Sequence, residues 1–125
     1  MAISIANEMR KAALDGMLAL LNSGQFRLLN ASDTELANLT FSSTAFGAAT
    51  TASPSVAVSN SITADSSVTA GTITKFELRT SGGSNRITGS VGVGSGDLQV
   101  SDNVIPASAT SVSCPGGLTI SLQLA

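Results

Sequence analysis

The chain has 125 residues, a net charge of −2, no His, Trp or Tyr and a single Cys, and only 11% of its residues are Asp, Glu, Lys or Arg. Soluble monomers usually carry about a quarter, so much of this exterior must be made of Ser, Thr, Gly and backbone, part of it covered by other protein. Six scattered basic residues cannot form the phosphate-neutralising stripe that nucleic acid requires. Catalysis built on an imidazole is excluded, and so are zinc sites made of His and Cys.

The length corresponds to one domain, divided here into an N-terminal amphipathic helix (residues 1–24) and a β body (residues 25–125). Ile5, Met9, Ala13, Met17 and Leu20 or Leu21 recur at helical spacing, with Leu14 and Leu18 widening the stripe. Ser4 is the predicted N-cap and Asn22-Ser23-Gly24 the stop, giving a helix over roughly Ser4 to Asn22. This helix packs on its own sheet or docks its stripe on a partner subunit. The apolar run Ala12 to Leu21 is broken by Asp15 and Gly16 and is too short and polar for a membrane span. The expected product is intracellular.

After Gly24 the period changes to two. Gln25 to Leu29 and Leu36 to Phe41 read as strands around the turn Asn30 to Asp33, and Ser42 to Ser55 is a loop anchored by Phe46. Val56 to Thr63 is the next predicted strand. From Thr72 to Thr80, Thr74, Phe76 and Leu78 alternate with Lys75, Glu77 and Arg79, as in an antiparallel strand with one wet face. Ser81 to Asn85 forms a hairpin loop, followed by Ile87, Gly89, Val91 and Val93 at period two. Gly94 to Asp97 is expected to turn the chain in a second hairpin toward Leu98 and Val100. Asn103 to Pro106 reads as an edge, and Leu118, Ile120, Leu122 and Leu124 as a final amphipathic strand. The spacing predicts a mainly β fold: an antiparallel β-sandwich or jelly-roll-like barrel of about 7–8 short strands plus the helix.

Little chemistry is on offer. Cys114 cannot form an intramolecular disulfide and reads as a small filler beside a turn. No carboxylate cluster nominates a calcium loop, and turn and capping roles explain Asp33, Glu35, Asp97 and Asp102 best. Gly92 to Asp97 resembles a phosphate-cradling loop, but Asp97 replaces the last glycine and no helix follows. The triplets Asn30-Ala31-Ser32 and Asn38-Leu39-Thr40 are chance glycosylation matches. No cofactor, no metal and no enzymatic activity are expected.

Several segments together resemble a group of small virion structural proteins of tailed bacteriophages. They are Ala13-Leu14-Asp15-Gly16, Leu39 to Ala49, Ser61 to Ser67, Gly71 to Arg79 and Gly89 to Gly92. The resemblance implies a head decoration (cement) protein with a β-sandwich or jelly-roll body. Such a protein sits on the capsid exterior and bridges major capsid subunits. Its partners would be the major capsid protein and neighbouring copies of itself, as a homo-oligomer on the particle, with no nucleic acid and no membrane; the site of synthesis would be the host cytoplasm. Repeated weak contacts at symmetry-equivalent sites would add up through multivalency. The candidate subunit contacts are then Met9, Met17 and Leu21 on the helix, and Phe41, Phe46, Val104 and Ile105 in the charge-free segments Phe41 to Ala52 and Asn103 to Pro106. The alternatives are a tail or receptor-contacting module, or a secreted adhesin-like β-sandwich domain.

Overall fold

Alternation with period two becomes, in three dimensions, a sheet whose register puts apolar and charged side chains on opposite faces. The computed structural model describes residues 4–115 and 117–122. Gly116 and the end of the predicted C-terminal strand, Gln123 and Leu124, lie outside the described residues. Among the described residues are one helix, α1 (Asn7–Ala19), and ten strands. The strands are β1 (Gln25–Leu29), β2 (Glu35–Phe41), β3 (Ser55–Val58), β4 (Ile62–Thr63), β5 (Gly71–Thr72), β6 (Lys75–Arg79), β7 (Asn85–Gly92), β8 (Leu98–Gln99), β9 (Val104–Ile105) and β10 (Thr119–Leu122). The fold is mainly β, a β-sandwich with one N-terminal helix. The strand number exceeds the seven or eight expected because four of the strands are two-residue pairings, too brief to leave a periodic trace in sequence.

The large layer is a curled six-stranded sheet in the order β4-β2-β1-β6-β7-β8. Antiparallel register sets Phe26 beside Leu39 and Leu78, and Leu28 beside Ala37 and Phe76, on the inward face. Arg27 falls between Asn38 and Glu77 on the outward one. A register shift against β2 marks a bulge between Leu28 and Leu29; both are buried, Leu28 in the core and Leu29 opposite Lys75. The β10-β3 and β5-β9 pairs form smaller sheets. Between these elements lies a core of Leu, Ala, Val and Ile around three neighbouring rings. Phe26 and Phe41 stack at 6.4 Å, and Phe76 meets Phe26 edge-on at the same distance.

Helix α1 packs on β3 of its own body, burying Leu14 and Leu18, with Leu21 following. It is shorter than predicted. Ala6 replaces Ser4 as N-cap, without a side-chain cap. It also stops short of the predicted Asn22, at Ala19 with Leu20 as C-cap, and the left-handed residue of the turn that follows is Ser23 (φ 56°). Gly24 serves a different need: a Cβ there would lie 2.0 Å from the Arg79 carbonyl oxygen, so only glycine lets the helix exit pass β6. Asp15 Oδ1 accepts from the Ala49 N–H at 2.8 Å, and Asn22 Oδ1 from the Ala45 N–H at 2.9 Å, tying the helix to the long loop before β3.

Three predicted segments are redrawn. Val56 to Thr63 is not one strand: the Ser59 N–H bonds Leu118 O and the Asn60 N–H bonds Ala45 O, turning the chain between β3 and β4. Thr72 to Thr80 is split, because Ile73 donates to Asn103 O while Thr74 donates to Leu29 O, so the two ends belong to different sheets. The loop after β7 is not a hairpin, since β8 runs parallel to β7 with Val91 opposite Leu98. The Asp97 carboxylate folds back onto the Ser90 N–H at 3.0 Å, closing the loop so that the chain re-enters in its original direction.

Candidate interaction surfaces

Charged side chains on the outward face of the large sheet are occupied with one another. Arg27 Nε donates to Glu35 at 2.6 Å and its Nη1 to Glu77, which also accepts from Arg79 at 3.2 Å. Lys75 pairs with Asp33 at 2.7 Å. Burial works against the Arg27 charge, but Glu35 and Glu77 outweigh it and hold the guanidinium above its ordinary pKa. Lys75, Glu77 and Arg79 are thus each paired, Glu77 across to β1, Arg79 within β6 and Lys75 to the turn at Asp33.

Asp65, Asp97 and Asp15 hold backbone N–H groups. Asp65 accepts from the N–H groups of Asn38 and Ser67, and its own main chain exchanges two hydrogen bonds with Val112. Asp97 is held below the usual carboxylate range by the Ser90 N–H and then the Ser90 hydroxyl. Asp15 is lowered first by Lys11 and then by the Ala49 N–H. Burial raises the Cys114 thiol, against the pull of the Gly117 N–H. Among the described residues no three metal-ligating side chains converge, and no helix is long and apolar enough to cross a membrane.

The seven predicted contact residues divide sharply. Leu21 (0% exposed), Phe41, Phe46 and Ile105 are buried in the chain's own core, so they leave the set of partner contacts. Phe41 and Phe46 lie 5.7 Å apart, each covering the other, and Ile105 packs inward through the β5-β9 pairing. Their neighbours in sequence do face out: Met9 is 64% exposed, Met17 43% and Val104 51%. Leu20, which was not singled out as a contact, joins Met9 and Met17 at 54%. The spacing of 9, 13, 17 and 20 marks a second stripe beside the buried one at 10, 14, 18 and 21, a distinction visible once the helix is docked.

A further opening lies where the two layers fail to meet. Phe26, Leu98 and Leu118 line two adjoining hollows, of about 220 Å³ toward β10 and about 350 Å³ toward Val112 to Pro115 and Gly117. The inner walls are apolar.

No family model matches this chain. No curated protein and no solved structure matches it either. The surfaces themselves therefore carry the functional argument.

Proposed function

We propose that this chain is a non-enzymatic virion structural protein, a decoration or cement protein that binds the outside of a phage head and bridges major capsid subunits. The observation that carries this reading is the division of the exterior. The outward face of the large sheet is charged and internally paired, while α1 presents Met9, Met17 and Leu20 to solvent beside surfaces of Ser, Thr and Ala. An apolar stripe next to uncharged polar surface can be covered by protein without desolvating ions. Many such small contacts on a symmetric shell gain strength by multivalency. The phage resemblance of the sequence points the same way.

The test is co-sedimentation of the purified chain with expanded heads. Saturation at a fixed ratio to the major capsid protein is expected, and the triple change Met9→Ser, Met17→Ser and Leu20→Ser should weaken it about tenfold or more. Absence of binding at every concentration, or turnover of a small molecule by the pure protein, would remove the proposal. A tail or receptor module would instead give a few copies per particle by mass spectrometry.

A further inference from the structure

Strand β10 is paired on one edge. The Ser59 N–H donates to Leu118 O at 2.7 Å, and the register continues with Ile120 opposite Ala57 and Leu122 opposite Ser55. On the far edge of β3, the carbonyls of Val58 and Val56 accept from Gly47 and Thr50, both at 2.9 Å. Antiparallel alternation therefore turns Leu118, Ile120 and Leu122 onto β3, and the main-chain groups of Thr119 and Ser121 away from it. On the opposite side, β8 ends the six-stranded sheet. The Val100 N–H donates to Gly92 O at 3.0 Å, so Gln99 between them directs its N–H and C=O away from β7. Among the described residues, nothing pairs with these three main-chain positions.

The two open edges border adjoining hollows that share Phe26, Leu98 and Leu118. Thr119 and Ser121 line the hollow toward β10, Gln99 lines the other, and Leu98 and Leu118 belong to both. The charged residues in the two linings are Asp97 and Asp102, both acidic and both on the β8 wall, with no Lys or Arg against them. Unpaired peptide edges on two walls over an apolar floor are complementary to an extended polypeptide, which offers donors and acceptors along both of its own edges.

We infer that these hollows form a strand-acceptor groove that takes an extended segment of a different protein chain. The segment that fits is uncharged where it crosses the floor, with small apolar side chains on alternate positions pointing inward. It carries a Lys or Arg at the rim, opposite Asp97 and Asp102. Once seated, it joins β8 to β10 and closes the two layers into one continuous sheet. A second copy does not supply it: Arg10 and Lys11 are helical, and Arg27, Lys75, Arg79 and Arg86 lie in strands already paired. The groove does not depend on a capsid.

The probe is the peptide acetyl-Lys-Val-Thr-Val-Thr-Val-Lys-amide, titrated onto the whole chain and followed by amide hydrogen exchange. Exchange at Gln99, Thr119 and Ser121 should slow by about tenfold or more on saturation. A peptide N-methylated on alternate residues should give no protection, and one with Glu at both ends should bind several-fold more weakly. No protection at millimolar peptide, protection elsewhere, or equal binding of the N-methylated peptide overturns the groove. Ser121→Pro removes an N–H that no strand of this chain uses and should abolish peptide binding with the fold intact by circular dichroism. Heads that bind wild type and Ser121→Pro alike, together with a silent peptide, would refute the groove and leave the capsid role standing. Peptide binding without head binding would do the reverse.

Discussion

The outward face of β1, β2 and β6 and the opposite half of the molecule, built from β3, β10 and the charge-free segments, handle polar groups in contrasting ways. On the first, Arg27, Glu35, Glu77 and Arg79 sit at positions where antiparallel register brings opposite charges together, and the face is complete as it stands. On the second, side chains are hydroxyls and small aliphatics, and among the described residues open hydrogen-bonding capacity resides in the backbone at Thr119 and Ser121, as it does at Gln99 on the β8 edge of the large sheet. A surface whose ions are mutually satisfied has little left to offer a partner. A surface whose peptide edges are open still has bonds to make. In a chain with so few charges, the proposed recognition rests on main chain and shape rather than on charged side chains.

The comparison is broken most severely at the core that both halves share. Phe26 lies beneath the charged face, stacks with Phe41 and also lines the cleft. Phe26→Ala should cost about 3–5 kcal/mol in urea unfolding, whereas Val104→Ala, on the exposed edge, should stay within about 0.5 kcal/mol. Equal losses at the two positions would contradict the placement of Phe26 inside and Val104 outside.

A smaller effect is expected on the charged face alone. The side chains of Arg27 and Glu77 are each 15% exposed, so their pair is only partly screened. Arg79 still holds Glu77 when Arg27 is removed. Arg27→Met should therefore lower stability by about 1–2 kcal/mol, and added salt should change the mutant and wild type by similar amounts.

The smallest effect concerns acid. Asp15 and Asp97 have folded pKa values lowered by hydrogen bonds that an unfolded chain lacks. Their contribution is fully present above the unfolded value of about 4 and is lost as pH falls through the lower folded values. Urea midpoints should hold near neutrality and decline below about pH 4, and Asp97→Asn should flatten part of that decline while lowering the neutral midpoint slightly. A decline that begins near pH 6 would point to other groups.

Much of the architecture was legible because periodicity is local. The strands at Gln25–Leu29, Glu35–Phe41 and Lys75–Arg79 alternate as residues on a half-wet sheet must, and the helix is where its stripe placed it, although it stops at Ala19, ahead of Asn22-Ser23-Gly24. What failed to read through depended on distant partners. Nothing in Val56 to Thr63 announces that Ser59 and Asn60 will bond to Leu118 and Ala45, and nothing near Asp97 announces a parallel β8. The contact residues divide for the same reason. An apolar Phe46 in a loop of small residues has the same sequence signature whether it anchors its own core or a neighbour's, and Leu20 gives no sign that Leu21 alone will turn inward.

The sequence by itself determined the alternation of strands, the single helix, the absence of imidazole chemistry and the scarcity of charge, because each follows from residue types and their spacing along a few turns of chain. Only the tertiary structure decided which apolar side chains remain outside, that the charges on the large sheet satisfy one another, and that two strand edges stay open beside adjoining hollows. Those outcomes depend on which segments meet across dozens of residues, and hydrogen bonds between strands carry no side-chain signature from which the meeting could be read.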